Sequence, residues 1–174
     1  YFCNFSVFQS MPDSWAIKQL FPVMPIHRLL EVPTRKAVLG DITCDSDGKI
    51  DQFIDLRDVR NTLQLHPFDG TPYYLGAFLL GAYQEILGDL HNLFGDTNVV
   101  TIELRTDGSF ELMHEQEGDT ISEVLSYVEY DPRQMVDAFK KTVERAVKSG
   151  RISAPERRKM ITAFKESING YTYF

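Results

Sequence analysis

The residues best suited to chemistry lie in one run, Asp41-Ile42-Thr43-Cys44-Asp45-Ser46-Asp47-Gly48, which sets a thiol directly beside a carboxylate. A thiol can hold a proton and hand it on near neutral pH, and a carboxylate can pair with a cation. The flanks explain how such a run is positioned. Residues 35–40 read as polar residues leading into an apolar strand, and residues 49–54 alternate polar and apolar with period two. Between them Ser46-Asp47-Gly48 carries turn chemistry, because Asp tolerates unusual backbone angles and Gly permits positive φ. Cys44 is therefore expected at a loop mouth, held by strands and open to ligands.

Residue types alone leave other readings open. A cysteine at a strand end also serves as a small buried hydrophobe, and turn aspartates also serve backbone hydrogen bonding. The phrase Asp-Ser-Asp-Gly-Lys-Ile looks like the middle of a calcium-binding loop, but the register excludes it. With Gly48 in the glycine place, the first and last ligand positions fall on Thr43 and Ile54, and the flanks read as strands where helices are needed. Asp41, Asp45, Asp47 and Asp51 alternate along strands and need not converge, so no metal site is assigned.

At 174 residues the chain can bury roughly 70% of its unfolded surface. A net charge of −7 argues against a general nucleic-acid role, since phosphate binding needs a basic surface. No apolar stretch approaches the ~20 residues that span a bilayer, and no signal-peptide pattern is present. Cys3 and Cys44 are sparse for a disulfide scaffold, so reduced thiols in the cytoplasm are expected. The chain starts at Tyr1 without Met, and residues 1–8 alternate like a strand in progress. A fragment of a longer polypeptide is expected.

Up to about Glu115 the pattern is mostly strands, with a short helix over 14–20 and extended segments at 23–27, 62–65, 73–83, 99–104 and 110–113. Thr106-Asp107-Gly108 marks a second hairpin. Beyond it the period changes to 3.6, with helices started by Asp119 or Thr120, by Asp131-Pro132 and by Ser153-Ala154-Pro155-Glu156. The expected architecture is mainly β with a helical tail (α+β): a β-rich body over 1–118 and a helical flank over 119–174.

Gly81-Ala82-Tyr83-Gln84-Glu85 ends the most apolar run, and two small residues there let the backbone approach something while the phenol projects past it. His91-Asn92-Leu93-Phe94-Gly95-Asp96 follows on a loop. Singly, Tyr83 is equally a core aromatic and His91 a satisfied loop histidine. Together with the Cys44 run, with residues 5–17 (Phe-Ser-Val-Phe-Gln-Ser-Met-Pro-Asp-Ser-Trp-Ala-Ile), and with residues 20–29, they closely resemble the biosynthetic arginine decarboxylases. The likeness is dense to about Asp96 and resumes at Gly170-Tyr171-Thr172-Tyr173.

That resemblance implies a pyridoxal-phosphate enzyme of the group that includes ornithine and diaminopimelate decarboxylases, converting arginine to agmatine and CO2 for polyamine (spermidine) synthesis. It implies an N-terminal (β/α) barrel holding the cofactor. A C-terminal β-sandwich or Greek-key, barrel-like domain would complete the site across a homodimer interface, or within a higher oligomer. This chain is similar to the second part. By the same resemblance Cys44 matches the cysteine that approaches the cofactor–substrate adduct from the partner subunit. Asp45 matches the carboxylate meeting the cationic end of the substrate, Tyr83 a tyrosine near the cofactor phosphate, and His91 a pocket residue. Asp45 or Asp47 can pair bidentately with a planar guanidinium. The cofactor supplies the electron sink, and the protein must deliver a proton to the correct carbon, because the wrong choice gives transamination. The neighbouring Asp45 disfavours a thiolate and keeps the acid loaded. Magnesium is implied by the family without a site. The lysine, glycine-rich phosphate site and acid that hold the cofactor belong to the barrel, so this chain alone is expected to be inactive. Two alternatives stand beside this reading: a dimerisation or assembly module, and a decarboxylase of another basic amino acid or a carboxylated polyamine.

Overall fold

Ser6 decides how the chain starts. The structure, a computed structural model, describes every residue except Ala82. Ser6 Oγ accepts the Gln9 N–H at 3.3 Å and caps α1 (Val7–Ser10), so cap chemistry overrides the alternation that predicts a strand over 1–8. Only Phe2 keeps a bridge, to Gly40. Pro12 then opens α2 (Pro12–Ala16), two residues ahead of the expected helix, which closes before Lys18 turns left-handed at φ 57°.

Short strands follow: β1 (Val23–Pro25), β2 (Arg35–Ala37), β3 (Leu39–Gly40), β4 (Lys49–Ile50), β5 (Phe53–Ile54), β6 (Val59–Arg60), β7 (Leu63–Leu65) and β8 (Leu75–Ala77). They pair antiparallel as β1 with β8, β2 with β7, β3 with β4 and β5 with β6. Period two sorts their side chains: Ala37, Leu39, Ile50, Phe53, Leu63 and Leu65 turn inward onto Val7, Phe8 and Met11 of the first helical segment. The apolar run over 73–83 is strand only at Leu75–Ala77. Leu79 is left-handed (φ 61°), and the chain re-enters as α3 (Ala82–Ile86), so Tyr83 stands on a helix.

The second unit holds β9 (Val99–Leu104) and β10 (Phe110–Gln116), joined by a turn in which Gly108 takes φ 84°, then α4 (Ile121–Tyr127), α5 (Pro132–Lys148) and α6 (Ala154–Ile168). Capping boxes at Thr120/Glu123 and Ser153/Glu156, and Asp131 before Pro132, start the three helices as the sequence predicts. Phe139 and Phe164 stack at 4.2 Å where α5 meets α6, and Val124, Val143 and Ile168 are buried. The last residues return to the start of the unit. Tyr173 Oη donates to the Gly95 carbonyl at 2.6 Å, Thr172 Oγ1 accepts the Gly95 N–H at 3.1 Å, and Phe94 stacks on Tyr173 at 5.1 Å.

The contacts divide the chain into Tyr1–Asn92 and Leu93–Phe174, whereas the sequence pattern puts the change at 118/119. Hydrogen bonds at the feet of the β9–β10 hairpin explain the difference. Asp119 Oδ2 accepts the Asp96 N–H at 2.9 Å, and Asn98 Oδ1 accepts the Gly118 N–H at 2.9 Å. The hairpin is thereby tied to the start of α4. Among the described residues the architecture is mixed strand and helix in five two-stranded sheets, none closed into a barrel. No helix among them is long and apolar enough to cross a membrane.

Candidate functional site

The Cys44 turn is built from a buried carboxylate. Asp41 follows β3 and is buried, and each of its oxygens is used. Oδ2 accepts the Val7 N–H at 3.0 Å, while Oδ1 accepts the Thr43 N–H at 2.9 Å and the Thr43 hydroxyl at 2.8 Å. A charged acceptor thus fixes both the start of α1 and the first residues of the turn. Gly48 closes the turn for a different reason from the one expected. It does not take a positive φ; a Cβ there would lie 2.1 Å from Asp41 Oδ1 and 2.6 Å from Thr43 Oγ1. The missing side chain makes room for the carboxylate.

On this base Cys44, Asp45, Ser46 and Asp47 are all exposed. Asp45 Oδ1 accepts the Asp47 N–H at 2.9 Å, and the Gly48 N–H donates to the Asp45 carbonyl at 3.0 Å, so one oxygen of Asp45 serves the turn itself. The Asp47 carboxylate is exposed beside it. A shallow depression of about 380 Å³ flanks the turn, walled by Phe2, Asp41, Thr43 and Asp45 among others. Both cysteines are free. Cys3 is half-buried at the rim of the core, and burial pushes its thiol up from the ordinary value.

Asn92 joins the turn from the far end of the unit. Its Oδ1 accepts the Cys44 N–H at 3.0 Å and its Nδ2 donates to Cys44 Sγ at 3.4 Å. The preceding His91 takes another direction: its ring tilts against Phe8 at 4.7 Å, and its Nε2 is buried. α1 underlies both arms, because the Phe8 carbonyl accepts the Asp89 N–H at 3.0 Å and the Val7 N–H bonds to Asp41.

Tyr83 stands apart on α3, 72% exposed. Its helix is fastened by the next residue, the buried Gln84, whose Nε2 donates to Asp13 Oδ2 at 2.7 Å and whose Oε1 accepts the Asp13 N–H at 3.2 Å. Within this chain nothing packs against Gly81, where a Cβ would meet no atom within 4 Å; Ala82 lies outside the described residues. The structure thus gathers Cys44, Asp45 and Asp47 on one turn. It brings the neighbour of His91 to the thiol and leaves Tyr83 without a hydrogen bond or ring contact to that turn. Asp41, Gln84 and Asn92 are the residues that sequence reasoning missed. The run of left-handed-tolerant Asn after His91 was the one available signal for Asn92. Among the described residues no three His, Cys, Asp or Glu side chains group as they would around a metal ion.

The chain is α+β, a unit of short strand pairs followed by a hairpin-and-helix unit, and it presents a braced thiol–carboxylate turn to solvent. Residues 121–174 match the family model described as the arginine decarboxylase C-terminal helical extension. The chain is 58% identical over 178 residues to the biosynthetic arginine decarboxylase of Gloeobacter violaceus, covering 99% of this chain and 28% of that protein. It is 57% identical over 174 residues to the one of Nostoc sp., covering 99% and 26%. The crystal structure of the biosynthetic arginine decarboxylase SpeA from Campylobacter jejuni superposes with a TM-score of 0.79 at 36% identity, covering 100% of this chain and 29% of that one. The chain belongs to the biosynthetic arginine decarboxylases and corresponds to their C-terminal part. It spans between a quarter and a third of the length of these relatives.

Proposed function

We propose that this chain completes the active site of a pyridoxal-phosphate-dependent arginine decarboxylase, in a homodimer whose cofactor is held mainly by an N-terminal (β/α) barrel. The observation that carries the reading is Cys44: its residue is exposed on a turn whose base is fixed by three bonds to one buried carboxylate. The cofactor, when bound, would supply the electron sink for loss of CO2. Toward it this chain would contribute the Tyr83 phenol, which is exposed enough to donate to a phosphate oxygen without adding charge. The Cys44 thiol would deliver the proton to the substrate carbon. The Asp47 carboxylate and the free oxygen of Asp45 would receive the guanidinium. His91 lies against Phe8 and would form a wall of the pocket rather than a proton relay. Magnesium has no step here. On the same reading the strand pairs of the first unit belong to a β-sandwich or Greek-key domain, and the enzyme works in the cytoplasm.

In the complete polypeptide, Cys44→Ala should raise the share of abortive transamination by tenfold or more, in line with loss of a general acid, while KM for arginine changes little. Equal losses in both would remove the proton-donor role. The isolated chain should show no decarboxylation and no visible-absorbance change with pyridoxal phosphate. Product analysis with arginine, ornithine and lysine separates the substrate alternatives.

The assembly-module reading has one observation in its favour. Val100, Ile102, Leu104, Phe110 and Leu112 share a face of the β9–β10 hairpin, and all are exposed. Sedimentation of the isolated chain separates the two readings in part: both allow a dimer, and a stable dimer with no dependence on cofactor would favour assembly.

A further inference from the structure

We infer that Asn92 is a positioning residue for the Cys44 thiol, aiming its proton away from the protein and facing the charge left when that proton departs. The inference rests on the proton-donor reading of Cys44 for its catalytic consequence, but its geometry stands independently. A backbone N–H can only donate, so the oxygen of the Asn92 side chain must face the Cys44 N–H, where it lies at 3.0 Å. The amide nitrogen then has to face the sulfur, at 3.4 Å. The reversed amide would set two donors against each other. With a sulfur lone pair occupied by that N–H, the thiol proton cannot point at Asn92 and is directed to the open side of the turn, where Cys44 is exposed. When the S–H bond breaks, the proton goes to the substrate carbon and the electron pair stays on sulfur, facing the Nδ2–H donor.

The backbone supports a dedicated role. Asn92 holds φ 58° and ψ 20°, a left-handed conformation that Asn tolerates and most side chains avoid. Cys44 and Asn92 are 48 residues apart, and their meeting depends on α1, which carries Asp89 and His91 on Phe8 and Asp41 on Val7. A residue held in an uncommon conformation over the one exposed thiol of the unit, bonded to it at both ends of an amide, is a positioning device.

The test uses the complete polypeptide and two variants. Asn92→Asp keeps an oxygen for the Cys44 N–H but replaces the N–H facing sulfur with a second, negative oxygen. Asn92→Gly keeps the left-handed backbone without steric cost and removes the amide. The pH profile of Cys44 alkylation by iodoacetamide, followed at that residue by peptide mapping, should move up by about one unit in Asn92→Asp, roughly tenfold slower reaction at neutral pH. Asn92→Gly should move it in the same direction by less. Profiles that match the parent in both variants overturn the inference. Asn92→Asp should also raise the share of abortive transamination, and add nothing to it when Cys44 is already Ala. If Cys44→Ala alone leaves that share unchanged, the proton-donor reading fails, while the alkylation profile still decides the role of Asn92.

Discussion

Replacing Asp41 with Asn tests the foundation of the site. The carboxylate accepts three hydrogen bonds with two oxygens, from the Val7 N–H, the Thr43 N–H and the Thr43 hydroxyl. An amide has one oxygen, so whichever way it turns, its NH2 faces a backbone N–H. If the oxygen stays with Thr43, the Val7 N–H is left opposite a donor at a fully buried residue. Leaving a buried donor unsatisfied costs about 1–3 kcal/mol, and the surviving bonds lose their charge assistance. Asn in place of Asp should therefore cost about 2–3 kcal/mol despite near-identical shape. At roughly 2–4 °C per kcal/mol for a chain of this size, thermal unfolding of the 174-residue chain followed by circular dichroism should fall by about 5–10 °C. Hydrogen exchange at the Val7 amide should quicken in parallel. A variant that melts within about 1 °C of the parent, with Val7 exchange unchanged, would show that Asp41 does not organise the turn.

Gly48→Ala should be damaging in spite of its ordinary backbone angles, because the new methyl would enter the space of Asp41 Oδ1; a loss of at least about 1–3 kcal/mol, typical of overpacking, is expected in urea denaturation. Leu65, which has no exposed surface, should lose about 2–5 kcal/mol as Leu65→Ala by the same measurement. The helical unit should weaken in acid. Bonds from the Thr120 N–H to Glu123, from the Ser153 hydroxyl to Glu156 and from the Arg133 N–H to Asp131 hold these carboxyls below their ordinary values. Their contribution is present above the unfolded values of about 4 and is lost as pH falls through the folded ones. Asp119 runs the other way: burial raises it, so stability gains as it takes up its proton on falling pH. Helicity followed from pH 7 to 2 should fall below pH 4, and Asp119→Asn should lower it at acid pH relative to neutral; a flat profile would refute the capping account.

The helical unit was legible in the sequence almost to the residue, because its signals are local. Thr120, Asp131-Pro132 and Ser153 each cap a helix through bonds made within three residues, and Gly150 at φ 72° ends the longest one. The two hairpin turns were legible for the same reason. Over residues 1–8 the alternation predicts a strand, but it is satisfied by packing Val7 and Phe8, with Met11, inward from a capped helix. The site was legible as far as its turn. Asn92 and Asp41 were not, since their partners lie 48 and 34 residues away, and only the folded chain sets those separations. Gly48 shows how a correct prediction can have the wrong cause: the expected freedom of φ is unused, and the absent methyl is what matters.

The hydrogen bond from Tyr173 to Gly95 has a bearing on how such a module travels between proteins. It joins residues 78 positions apart, so the two extremities of the hairpin-and-helix unit lie side by side. A segment with adjoining ends can be spliced into a host, or relocated by circular permutation, without forcing the flanking chain apart.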